Sequence, residues 1–156
     1  MGNGPSVKET TLHHARDPLL EAVASDEEVD LLGVMLFGAS DRWDRKALVA
    51  RRAAVWAQGM RADGAIVSTD GWGNTQIDHA EACAELVRRG LSVVGMLPMG
   101  RQGRPVVDGA GPVIDFHESA SGRETNVVGE NTLTDLHCRK AMAMLKLQMR
   151  RRGQGS

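Results

Sequence analysis

The chain has 156 residues, 42% of them hydrophobic and 25% charged. This fits one compact domain that buries about 70% of the surface its unfolded form exposes and leaves no room for a second. A formal charge of −1 and a pI of about 6.5 lack the positive excess that selects nucleic acid or anionic lipid, so neither is expected as a partner.

Residues 1–16 read as a flexible N-terminal arm, too polar and Gly-Pro-rich to fold alone and suited to ordering in a complex. Residues 17–152 read as a single α/β domain and 153–156 as a disordered tail. The opening MGNGPS satisfies Met-Gly-x-x-x-Ser, but that short pattern needs a eukaryotic modifying enzyme, and an unmodified Gly-Pro start is the expectation. Asp17 suits a helix N-cap and Pro18 the first turn, giving a short helix through about Ala24. SDEEVD then leads into LLGVMLFG, continuously apolar as a strand covered on both faces would be. The whole run VDLLGVMLFG is far shorter than the roughly 20 residues of a membrane span, so no membrane partner is expected.

After the turn-like GASDRWD, a helix is expected from about Arg45 to Arg61, with Leu48, Val49, Ala53 and Trp56 on a common stripe. GAIVST, entered through Asp63-Gly64, is a short strand and DGWGNT a loop. IDHAEACAELVRR is a helix closed by Gly90 at the C′ position, and LSVVGML is the next strand. The loop PMGRQGRPVVDGAGP precedes a last strand, PVIDF. The final helix starts near Thr132 or Thr134, where Thr132 and Asp135 resemble a capping box with Asp in place of Glu, and runs through MAMLKLQM. Arg150, Arg151 and Arg152 suit its C-terminal dipole. Alternating strands and helices imply right-handed parallel crossovers, hence a three-layer α/β/α sandwich with a mostly parallel sheet, Rossmann-like or flavodoxin-like.

In such sheets ligands bind at the carboxyl ends of strands, so FGASDRWD, STDGWGN and MLPMGRQGRP are the informative loops. None carries GxGxxG or GxxxxGK[ST], which argues against nucleotide binding. STDGWGN is the sharpest. Gly71 and Gly73 permit close backbone approach, Trp72 offers a flat wall, and Asp70 and Asn74 bring a carboxylate and an amide to the strand end. The alternative is a tight turn in which Asp70 or Asn74 caps the next helix. Asp78, His79 and Glu81 fall within one helical turn, and Glu9, His13, His14 and His117 can join a zinc or iron site if folding gathers them. No HExxH occurs, and scattered histidines are more often surface or capping residues. Cys83 reads as a small buried thiol, and His137 and Cys138 as ordinary helix residues. Isolated cysteines with no leader favour a reducing cytoplasm. No GxSxG elbow supports a triad on Ser68.

One order of residues goes further. Thr10-Thr11-x-His13-His14 is followed by Pro18 with an aliphatic pair, then an apolar strand. Gly71-Trp72-Gly73-Asn74 comes at the end of a second strand, with Asp78 four residues on. Over roughly residues 8–100 this resembles the small, pyruvoyl-bearing portion of the substrate-specific component B of glycine, sarcosine and betaine reductases, with D-proline reductase a related system. The resemblance implies a subunit of a heteromeric enzyme that reductively splits a C–N or similar C–heteroatom bond in a small amino-acid-like substrate, with a second, larger subunit as partner. In that family the precursor cleaves itself before a Cys that becomes an N-terminal pyruvoyl group, which holds the substrate as an imine.

MGNGPSVKE holds no Cys. Asn3 and Gly4 stand nearest the family's cleavage Cys, and Ser6 lacks its context, so a pyruvoyl group is not expected. A divalent metal held by His13, His14 and Glu9 is the substitute electrophile. His13 and His14 are assigned as general acid/base, Asp70 and Asn74 as catalytic groups orienting the substrate, and Thr10, Thr11, Gly71, Trp72, Gly73 and Asp78 as substrate-binding. Two readings stand beside this one: a metal-dependent hydrolase or lyase acting on a small nitrogen compound, and a non-catalytic assembly subunit.

Overall fold

The computed structural model describes residues 17–69, 73–99, 109–116 and 133–154. Helix α1 (Pro18–Ala24) is followed by α2 (Trp43–Gly59), β1 (Gly64–Ser68), α3 (Asn74–Arg88), β2 (Ser92–Leu97), β3 (Val113–Asp115) and α4 (Asp135–Gly153). The strands form a small parallel sheet in the order β1-β2-β3, with Gly64 opposite Ser92 and Gly95 opposite Val113. The chain is thus an α/β protein. No helix among the described residues is long and apolar enough to cross a membrane.

Local signals set the helix ends. The Asp17 carboxylate accepts from the Leu19 N–H at 2.9 Å, ahead of Pro18. Gly90 at φ 92° follows the C-cap Arg89 and closes α3. At the start of α4 the cap is Thr134, one of the two expected starts, and the expected Thr132–Asp135 pairing lies outside the described residues; the Thr134 N–H donates to Nδ1 of His137 at 3.3 Å. His137 is the residue three positions after Thr134, where an imidazole nitrogen accepts as a carboxylate would. Arg150, Arg151 and Arg152 occupy the last turn of α4, as expected.

Every residue of β2 is buried, and alternate side chains enter two clusters, as the period of a strand requires. Val94 and Met96 pack with Leu19, Ile114, Phe116, Cys138, Ala141 and Leu145, which joins α1 and α4 to the sheet. Val93 packs with Val67, Ala50, Ala54, Ala82, Cys83 and Leu86, which joins α2 and α3 to it. Close contact between α2 and α3 needs small side chains, and this corrects the expected stripe. The residues buried on α2 are Lys46, Ala50, Ala53 and Ala54, Leu48 and Val49 are half-buried, and Trp56 is 68% exposed.

The second correction concerns LLGVMLFG, which forms no strand. Leu31, Leu32, Val34, Met35, Leu36 and Phe37 all lie exposed, between 37% and 77%. An apolar run reports a preference for burial but not which surface supplies it. Just before this run the chain is anchored to α4, where Lys146 pairs with Asp26 at 2.8 Å and Glu28 at 3.0 Å, and Arg150 with Glu28 at 2.6 Å.

Gly95 marks the tightest approach of helix to sheet. A Cβ there would stand 2.7 Å from Cε1 of His79 and 3.3 Å from Cγ2 of Val113, so the bare backbone is what admits the imidazole. Gly95→Ala is expected to lower stability by about 1–3 kcal/mol through overpacking, read as a drop in denaturant midpoint; an unchanged midpoint contradicts the packing.

The anchor on α4 also sets a pH response. Hydrogen bonds from Lys146, joined at Glu28 by Arg150, hold both carboxyls below their ordinary range, and the same bonds to Asp26 and Glu28 raise Lys146. Carboxylates with depressed folded pKa values stabilise fully above their unfolded values of about 4, and lose that contribution as pH falls through the lower folded values. The raised Lys146 contributes fully below its unfolded value of about 10.4 and loses it as pH rises further. Lys146→Met should therefore flatten the fall of the unfolding midpoint below about pH 4, and an acid limb as steep as the parent's counts against the anchor.

Candidate functional site

Three segments converge at the carboxyl end of β1. The Thr69 N–H donates to the Met96 carbonyl at 3.1 Å, extending the β1–β2 ladder. The chain then enters α3 through Gly73, whose φ of 56° and ψ of −105° suit a residue without a Cβ. From the first turn of α3, the Gln76 amide donates to the Pro98 carbonyl at 3.3 Å, just past the end of β2. The Met99 N–H donates to the Asp115 carboxylate at 2.9 Å, tying the exit of β2 to the end of β3. The strand ends and the start of α3 thus form one connected edge.

Under this edge lies a buried ion pair. Lys46 of α2 and Asp78 of α3 are 3% and 6% exposed, and the ammonium donates to Oδ2 of the carboxylate. Lys46 also donates to the Asn74 carbonyl at 3.1 Å. The other oxygen of Asp78, Oδ1, accepts from the Ser40 N–H at 3.5 Å. The Asn74 side chain returns to the same segment: its Nδ2 donates to the Ser40 carbonyl at 3.3 Å and to the Asp41 carboxylate at 3.2 Å. Ser40–Asp41, Lys46 and the first turn of α3 are therefore closed into one network. Taking two charges out of water costs several kcal/mol per ion, which only directed partners offset.

Of the site residues expected from sequence, Gly73, Asn74 and Asp78 lie in this network or at its edge. Glu9, Thr10, Thr11, His13, His14, Asp70, Gly71, Trp72 and His117 lie outside the described residues. Asn74 does not cap α3, because Gly73 holds the N-cap position and the Asn74 amide hydrogens go to Ser40 and Asp41. An amide whose two N–H groups are used retains its carbonyl oxygen as an acceptor for a ligand. Asp78 gives its carboxylate to Lys46 and Ser40 and supports the turn from beneath.

His79 and Cys83 belong to the core. The buried imidazole donates from Nε2 to the Val67 carbonyl at 2.9 Å, with the Cys83 sulfur 3.8 Å away. Burial pushes the Cys83 thiol up to about 12, so it stays protonated and unreactive at neutral pH. Among the described residues no group of three His, Cys, Asp or Glu side chains is placed to hold a metal ion. The sequence reading missed Lys46, which sits in the charged run DRWDRK. A signal was available, because Ala50, Ala53, Ala54 and Ala57 follow it at helical spacing on the same narrow face.

A family model described as glycine/sarcosine/betaine reductase component B subunits matches residues 3–117. That span holds the TTLHH stretch, Lys46, the sequence GWGN and Asp78. The chain is 36% identical over 145 residues to the D-proline reductase proprotein PrdA of Acetoanaerobium sticklandii, an alignment covering 92% of this chain and 23% of that one. The chain thus spans less than a quarter of the length of the curated relative it matches. No solved structure matches it. A match through every element from α1 to β3, joined to this identity, places the chain in the family of glycine, sarcosine and betaine reductase component B subunits.

Proposed function

We propose that the chain is a site-contributing subunit of a cytoplasmic, heteromeric reductase that cleaves a C–N or similar C–heteroatom bond in a small amino-acid-like substrate. The observation that carries this reading is the fixed first turn of α3 at the carboxyl end of the sheet, where the sequence GWGN, inside the span the family model matches, delivers Asn74. The architecture is read as a three-layer, Rossmann-like sandwich, whose ligand edge is this one.

Asn74, with both amide hydrogens held by Ser40 and Asp41, offers its carbonyl oxygen to a substrate N–H. Asp70 joins it in orienting the substrate, Gly71 and Gly73 let the backbone approach, and Trp72 walls the pocket. Thr10 and Thr11 line it from the arm. Reductive cleavage delivers a proton to the leaving nitrogen and two electrons with a proton to the carbon. His13 and His14 supply the proton to nitrogen, and the electrons come from an external thiol or selenol reductant. Glu9, His13 and His14, which lie outside the described residues, would also be the ligands of a divalent metal standing in for the pyruvoyl electrophile.

The partner in this reading is a second, larger subunit. Ten of the large apolar side chains exposed on the chain fall between Leu31 and Met60, among them Trp43 and Trp56, a concentration that favours burial against another protein surface. The relative at 36% identity has more than three quarters of its length beyond the matched part, ample chain for a larger partner.

In the assembled enzyme, supplied with reductant and with glycine, sarcosine, betaine or D-proline, Asn74→Ala and His13→Ala are each expected to lower turnover by about a hundredfold or more. Helical content and subunit association should stay intact. Full activity in both variants rules out these assignments, and loss of association alone marks the arm as an assembly element.

A further inference from the structure

We propose that Lys46 is a positioning residue of this site, setting the aim of Asn74 without touching substrate; the inference rests on the proposed role of Asn74. Lys46 is buried at 3% exposure, so no substrate reaches its ammonium. Its partners are the two groups that determine where the start of α3 lies. One is the backbone carbonyl of Asn74 itself, at 3.1 Å, and the other is the carboxylate of Asp78 one turn later. Asp78 passes the restraint to the Ser40 N–H, and the Ser40 carbonyl and Asp41 carboxylate hold both amide hydrogens of Asn74. Lys46 is thus the point at which α2, α3 and the 40–41 segment are tied together, and the oxygen of the Asn74 amide is oriented by that knot.

Stability alone gives no reason for a charged pair here, because well-packed apolar residues of similar volume serve a buried position as well or better. What the pair adds is direction: an ammonium donates along separate axes to a carbonyl and a carboxylate, and the carboxylate accepts along others. A hydrophobic pair would fill the space and leave the first turn of α3 free to shift. Small misplacements of an orienting group lower turnover strongly.

The test separates filling from aiming. Single removals, Lys46→Met or Asp78→Leu, strand a buried charge and are expected to lower the unfolding midpoint steeply. The double variant Lys46→Met/Asp78→Leu removes both charges, and its full chain should unfold cooperatively near the parent midpoint. Hydrogen exchange at residues 39–42 and 73–77 should then rise about tenfold or more while β2 amides keep the parent rates. In the assembled enzyme kcat should fall by about tenfold to a hundredfold. Parent exchange rates in both segments, or parent kcat, in a folded double variant overturns the proposal. If the double variant does not fold, Asp78→Asn is measured instead. It keeps the side-chain shape and leaves the Lys46 ammonium without its carboxylate, so a rise in exchange at residues 39–42 and 73–77 that exceeds any rise at β2 amides supports the proposal, and a rise no larger than that at β2, or parent rates, overturns it. Asn74→Ala is run alongside. Parent turnover there removes the role of Asn74 and with it that of Lys46. Loss of turnover there, with an undisturbed double variant, removes the role of Lys46 alone.

Discussion

The salt bridge between Lys46 and Asp78 is the constraint around which the candidate site of this protein is organised. Both groups are buried, and each needs every directed partner the surroundings supply. Meeting that need fixes three pieces of chain at once: the start of α2, the first turn of α3 and the 40–41 segment between them in space. The geometry at Asn74 is a consequence. A side chain that would otherwise sample several rotamers at an exposed helix start is held by two acceptors, and those acceptors are themselves held through Asp78. Pre-ordering of this kind spares a binding site part of the entropy of arranging its polar groups at the moment of encounter.

Behind the edge, small residues let the layers come close. Ala50 and Ala54 of α2 meet Ala82 and Cys83 of α3, and Gly95 of β2 admits the His79 ring. The imidazole uses Nε2 on the Val67 carbonyl, which joins α3 to β1 through a polar contact inside an otherwise apolar cluster. A buried polar contact of this sort tolerates little drift, since a displaced partner leaves an unsatisfied group behind. The core that supports the candidate site is therefore stiff for two reasons: close packing of small side chains and directed bonds from His79, Lys46 and Asp78. Cys83, buried within it and held neutral, contributes volume and no reactivity.

Much of this was readable from the chain because it is encoded locally. Asp17-Pro18 announces α1, Gly90 ends α3, and LSVVGML reads as the strand that follows it. The sequence GWGN was expected after a strand, where parallel sheets place their ligands, and its last two residues, Gly73 and Asn74, open α3. Errors came where the outcome depends on distant chain. Trp56 falls on the apolar stripe of α2 by period, but close α2–α3 contact imposes a size limit that hydrophobicity does not report, and the indole stays exposed. LLGVMLFG has the composition of a covered strand, yet it forms no strand and its large side chains lie exposed. Thr134 was one of the two starts offered for α4, and its partner His137 is an imidazole in a position where pattern reading looks for an acid. Lys46 was invisible because a lysine amid DRWDRK reads as solvated, and its burial follows from a tertiary partner at Asp78.

The exposed apolar stretch and the family assignment point the same way. A surface carrying Leu32, Val34, Leu36, Trp43 and Trp56 in the open is costly in water and sensible within an assembly. The measurement that tests the central claim most directly is a native mass spectrum of the untagged protein purified from its own host, with each polypeptide identified by sequence. The account predicts this chain bound in fixed stoichiometry to a larger polypeptide of the same reductase family. A chain that appears alone, or only with copies of itself, contradicts it.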